Sequence, residues 1–210
     1  MVKQWGLVLY LDNIILNNYW RKYYTYLELG WDDASIKQYL SQKQYLMQVA
    51  SFSTPTVTFS ASSRRNRFYS IYNRLDLLDQ DVAYGESING LKKLALDYDI
   101  FVISARSIDL KDKTLDILTR LGFPMESLTI FFKKGNEQLH QYRKKCLENI
   151  HEKYKSGVGI SLQQTDIALY ERFNFTPIAF TSVKEKQEFD GKVQAICQDW
   201  NDILMALNCH

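Results

Sequence analysis

Leu7-Val8-Leu9-Tyr10-Leu11 is an unbroken apolar run of strand length, closed by Asp12-Asn13. A strand with one wet face alternates, so a continuous run of this size reads as a strand covered on both faces, as in a parallel sheet. From Gly85 onward similar runs recur between amphipathic stretches. Strands are expected at Ile100–Ile103, Leu128–Phe132, Val158–Ser161 and Pro177–Phe180, with helices at Ser87–Asp97, Lys111–Leu121, Glu137–Lys155 and Asp166–Phe173. Gly122 and Pro124 stop the second of these helices. The tail Val183–Leu207 carries Phe189, Val193, Ile196, Trp200, Ile203 and Leu204 and reads as one closing helix. Strands alternating with helices at this interval imply an α/β, Rossmann-like three-layer core with a parallel sheet.

Between the first strand and Gly85 the grammar is helical instead. Tyr19, Trp20, Tyr23, Tyr24 and Leu27 recur at three- and four-residue spacing, and a second helix starts at Asp32-Asp33, where acidic residues suit the helix dipole. A Ser/Thr-rich stretch from Ser51 to Ser63 precedes a basic helix start, Arg64-Arg65-Asn66-Arg67, followed by Phe68 and Tyr69. The simplest organisation is a core of residues 1–16 and 80–210 with a helical insertion at 17–79. Much of the 14% aromatic content lies in that insertion. The rings build either a small core of their own or a binding surface. Arg64, Arg65 and Arg67, with Arg74 nearby, are candidate contacts for a phosphate or a nucleic acid.

Charge argues against the second of these partners. Lys plus Arg exceed Asp plus Glu by two, too even a balance for a nucleic-acid surface. Cys146, Cys197 and Cys209 form no CxxC pair and no disulfide framework, which suits a reducing, cytoplasmic setting. The N-terminal apolar run is too short for a membrane span. His140, His151 and His210 have no metal-ligand spacing with the cysteines, and GxSxG, P-loop and HExxH motifs are absent. Gly157-Val158-Gly159 lacks the third glycine of a dinucleotide fingerprint and reads as a strand entry.

In open parallel sheets ligands bind beyond the carboxyl ends of the strands, so those junctions matter most. They read Tyr10-Leu11-Asp12-Asn13 after the first strand and Ser104-Ala105-Arg106 after the second. A basic helix segment follows at Tyr142–Leu147, then Ser161-Leu162-Gln163-Gln164-Thr165-Asp166 after the fourth strand. This order resembles the haloacid dehalogenase (HAD) superfamily of phosphohydrolases over nearly the whole chain. In that family the corresponding motifs are DxDGT, a Ser or Thr, a Lys and GDxxxD, and the insertion resembles its C1-type helical cap.

The resemblance assigns roles and exposes departures. Tyr10 stands at the nucleophile position and Asp12 at the acid/base position, with Asn13 at the motif's glycine. Ser104 and Arg106 are placed to hold a phosphate, as is Arg143 or, in other registers, Lys144 or Lys145. Leu162 replaces the principal Mg²⁺ ligand, and Asp166 retains the second, where it also suits a helix cap. A protonated phenol is no substitute for a nucleophilic carboxylate, and an aliphatic side chain offers a hard cation no oxygen. The resemblance therefore implies a pseudo-phosphatase that needs no cofactor and acts as a binding or regulatory protein. Its partner would be a protein or a small phosphorylated ligand. The alternative is a divergent Mg²⁺-dependent phosphatase of small phosphomonoesters or nucleotides, with Asp12 in a shifted register and Asp166 aiding the metal.

Overall fold

A computed structural model describes residues 5–42, 61–135, 137–181 and 189–207. The chain divides into two compact units, residues 1–17 with 83–210 and residues 18–82. The divisions fall one and three residues later than the sequence boundaries. In the first unit β1 (Trp5–Tyr10), β4 (Tyr98–Ser107), β5 (Leu128–Lys133), β6 (Gly157–Ser161), β7 (Phe175–Phe180) and β8 (Ala195–Cys197) form one sheet in the order β5-β4-β1-β6-β7-β8. Every pairing in it is parallel. The run that opens the chain earns its composition there: β1 lies between β4 and β6, and Leu7, Val8 and Leu9 are wholly buried. Register sets Tyr10 beside Ile103 and Val8 beside Gly159, so the junctions after β1, β4 and β6 share one edge of the sheet. The chain order reverses around β1, which is where open parallel sheets form their crevice.

The helices of this unit are α5 (Ser87–Leu94), α6 (Lys111–Leu121), α7 (Leu139–Lys153), α8 (Gln164–Arg172) and α9 (Trp200–Ala206). Gly122, in the left-handed region at φ 85°, ends α6 as its position implies. The tail departs from expectation. Among its described residues there is no continuous helix: Ala195–Cys197 is a strand on the edge of β7, and α9 starts only at Trp200. Asp199 separates the two, its carboxylate accepting the N–H groups of Asn201 and Asp202 at 2.8 and 3.0 Å. The apolar spacing fits a helix, but this cap and the sheet's hydrogen bonds decide otherwise.

The second unit holds α1 (Tyr19–Glu28), α2 (Asp33–Gln42), α3 (Ala61–Tyr72) and α4 (Leu75–Leu78). Tyr26, Ile36, Leu40, Phe68 and Tyr72 form its buried core, with Trp31, Tyr39 and Tyr69 packed against it. Trp20 and Tyr24 remain exposed, and Tyr45, Phe52 and Phe59 lie outside the described residues. The rings thus serve largely as core. Arg21 and Asp81 are a fully buried ion pair at 3.0 Å, and Tyr72 accepts from Arg21 and Asn18, both at 2.7 Å. Two short strands, β2 (Leu16–Asn17) and β3 (Val82–Ala83), form a separate ribbon. Among the described residues no helix is long and apolar enough to cross a membrane.

The turn after β1 is held by side chains from far along the sequence. The Trp200 indole N–H donates to the Ile14 carbonyl at 2.8 Å, and the Ser87 hydroxyl donates to the Ile15 carbonyl at 3.0 Å. Trp200 is fully buried and packs so closely on α5 that a Cβ at Gly90 would lie 2.4 Å from its ring. Gly90→Ala should therefore destabilise the protein by about 1–2 kcal/mol in urea unfolding, because overpacking outweighs the better helix propensity of alanine.

Candidate functional site

Three neighbouring strands deliver the residues that the sequence singled out. Asn13, just past β1, adopts φ 68°, a left-handed conformation that asparagine tolerates better than most residues. The turn closes with the Leu16 N–H on the Leu11 carbonyl at 2.9 Å and the Asn13 N–H on the Leu16 carbonyl at 2.7 Å. Asp12 is presented by this turn. Strand β4 runs on past Ser104 with a register shift before Ser107, which carries Arg106 along the same edge.

Arg106 and Asp12 form a two-pronged ion pair: Nη2 donates to Oδ1 at 2.6 Å and Nε to Oδ2 at 3.3 Å. The side chain of Arg106 is 3% exposed and that of Asp12 15%. Arg106 Nη1 also donates to the Thr114 hydroxyl on α6 at 3.2 Å. Ser104 is wholly buried, and its hydroxyl accepts the Arg106 backbone N–H at 3.2 Å. Fork-to-fork geometry of this kind is among the strongest charge-assisted contacts, and it engages both oxygens of Asp12.

A second pair lies beyond β6. Arg143, on α7, donates from Nη1 to Asp166 at 2.9 and 3.2 Å and to the Gln163 side chain at 3.0 Å. Asp166 also accepts the Ser161 hydroxyl at 2.8 Å. It sits in the first turn of α8 without capping it; Gln163 holds the cap position. Arg143 lies over the Tyr10 ring, its Cζ 4.3 Å from the centroid, and Tyr10 in turn stacks on Tyr170 at 6.5 Å. Burial, with Tyr170 and Asp166 nearby, holds the Tyr10 phenol well above its ordinary pKa despite the opposing Arg143. Burial likewise raises the Tyr170 phenol, which donates to the Ile160 carbonyl at 3.2 Å.

The other sequence candidates lie elsewhere. Lys144 pairs along its own helix with Glu148 at 3.4 Å, and Lys145 pairs with Glu137, so of the three basic residues Arg143 alone joins this cluster. Helix α3 already runs from Ala61, which puts the arginines a turn inside it rather than at its start. Arg65 and Arg67 are exposed, and the Arg64 side chain is outside the described residues. Arg74 is engaged with Glu28 and Asp76 at 2.6 and 2.5 Å. Sequence reasoning missed Thr114 and Tyr170. Gly159 carried a signal for Tyr170, because a Cβ there would lie 2.5 Å from that ring: the glycine in β6 makes room for it.

Chemically, the cluster is poor in both nucleophiles and metal ligands. Tyr10 is a buried protonated phenol, and burial lifts the Cys146 and Cys197 thiols to about 11 and about 12. Among the described residues no group of three or more His, Cys, Asp or Glu is placed to hold a metal ion. Asp12 and Asp166 already have guanidinium partners, and Leu162 packs against the apolar core. These residues do not fit Mg²⁺, which needs several free oxygen ligands in near-octahedral array.

No family model matches the chain. No curated protein matches it either. Solved structures do match over its whole length. One is a haloacid dehalogenase-like family hydrolase from Streptococcus pneumoniae, with TM-score 0.68 and 13% identity over 99% of this chain and 100% of that one. The chain has the haloacid dehalogenase fold. A HAD-hydrolase-like protein of Bacillus subtilis, YfnB, solved bound to magnesium, matches with TM-score 0.62 and 14% identity over 99% of this chain and 100% of that one. CbbY from Rhodobacter sphaeroides, solved with phosphate, gives TM-score 0.59 and 10% identity over 99% and 100% of the two chains. At these identities the likeness establishes the HAD architecture alone.

The raised phenols give a signed pH dependence. Tyr10 and Tyr170 stay protonated in the folded state above the ordinary phenol value of about 10, whereas unfolding lets them ionise. Their contribution is fully present below that value and falls as pH rises beyond it. Alkaline titration followed by phenolate absorbance should show these two ionising only with unfolding, and Tyr10→Phe should reduce the loss of stability at high pH.

Proposed function

We propose that this protein is a HAD-fold pseudo-phosphatase: it does not hydrolyse phosphomonoesters and acts as a binding or regulatory protein. The observation that carries the reading is that the two carboxylates of the candidate site are each neutralised by an arginine, Asp12 by Arg106 and Asp166 by Arg143. A carboxylate whose two oxygens are both held by a guanidinium is a poor nucleophile. The ring of Tyr10 supplies no replacement. Since both arginines are engaged internally, a protein partner is favoured over a small phosphorylated ligand. The setting is cytoplasmic, in keeping with buried, unpaired Cys146 and Cys197.

Purified full-length protein, incubated with Mg²⁺ and a panel of phosphomonoesters including sugar phosphates and nucleotides, should release no phosphate above the uncatalysed background. Turnover that disappears in Asp12→Asn would overturn the reading, since it would make Asp12 a working catalytic group.

A further inference from the structure

The misfit to Mg²⁺ comes with a replacement. The Asp12 and Asp166 side chains are 15% and 2% exposed, and burying a charged group is costly unless it is paired and hydrogen-bonded. Each meets a guanidinium that arrives from a different element: Arg106 from β4 and Arg143 from α7. Both cations are themselves fixed. Thr114 steadies Arg106, while Gln163 and the Tyr10 face steady Arg143. We infer that Arg106 and Arg143 are the resident cations of this sheet edge, taking the electrostatic place of a divalent metal. The charge balance is complete without one, and the native fold is independent of Mg²⁺. This inference concerns charge, not turnover, and does not rest on the functional reading.

Two measurements on the full chain test it. The thermal midpoint of the wild type should be the same in EDTA and in excess MgCl₂, and calorimetric titration with MgCl₂ should show no saturable binding. Saturable binding with a midpoint that climbs with Mg²⁺ would overturn the inference. The second measurement is a pair of double-mutant cycles, Arg143→Met with Asp166→Asn and Arg106→Met with Asp12→Asn. Removing a guanidinium alone should lower the midpoint by roughly 6–20 °C, because it strands a buried carboxylate. Neutralising the carboxylate as well should recover most of that loss. Additive losses, or a double variant that folds no better than the arginine variant, would show that the arginines serve packing and not charge. If Arg143→Met does not fold, recovery of folding in its double variant supports the same conclusion, and failure of both rejects it. The two proposals separate cleanly: metal-independent turnover removes the functional reading alone, and Mg²⁺ binding without turnover removes this one alone.

Discussion

Asp166, at 1% exposure in the first turn of α8, is a charge placed where water does not reach, and much of its surroundings follows from keeping it satisfied. A buried carboxylate requires a cation or several donors. Here it has Arg143 from α7 and the Ser161 hydroxyl from the end of β6. That requirement ties one helix to one strand end. The demand then passes outward, because a guanidinium brought indoors needs its own partners: Gln163 takes a bond from Nη1 and the Tyr10 face lies against the group, while the buried Nε has no hydrogen-bond partner among the described residues. The Asp12 pair repeats this logic on the β4 side, with Thr114 of α6 as the outer partner. The two pairs lie at the strand ends, where open parallel sheets bind their ligands.

Space is managed as tightly as charge. The Tyr170 ring lies flat on β6 only because Gly159 has no side chain, and Gly157 leaves room for the Gly6 carbonyl, which a Cβ would meet at 2.2 Å. Gly90 does the same on α5 for Trp200, whose indole in turn fixes the Ile14 carbonyl in the turn that carries Asp12. Gly90 and Gly159 are therefore coupled to particular rings. Those rings fill volume beside β6 and beside the turn after β1.

The sheet was legible in the sequence because each central strand is a continuous apolar run, and a run covered on both faces has few other interpretations. Helix α6 was legible to the residue, since Gly122 supplies its left-handed stop. The tail was not. Its spacing from Phe189 to Leu204 satisfies a helical face, yet Ala195–Cys197 complete the sheet edge, a long-range pairing that no local pattern encodes. At the site, motif order located Asp12, Ser104, Arg106, Arg143 and Asp166 along one edge. Their pairing was invisible, because Asp12 and Arg106 are 94 residues apart in sequence and either could have faced a ligand. Thr114 and the buried Arg21–Asp81 pair left no trace for the same reason. A polar residue on an amphipathic helix reads as solvated until the fold shows what lies opposite it.

A parallel sheet with helices on both faces draws its stability from apolar layers, so the chemistry at its strand ends can change while the layers stay. The permitted changes are constrained by charge. Replacing one member of a carboxylate cluster leaves the others repelling or unpaired, whereas supplying an arginine for each remaining carboxylate restores neutrality at once. The resemblance puts Tyr10 and Leu162 where the HAD motifs hold two acids, and Arg106 and Arg143 pair with Asp12 and Asp166. That arithmetic needs no ion from solution. It also explains why the balance is struck in separate pairs, because a single shared cation would need all the carboxylates converging on one point.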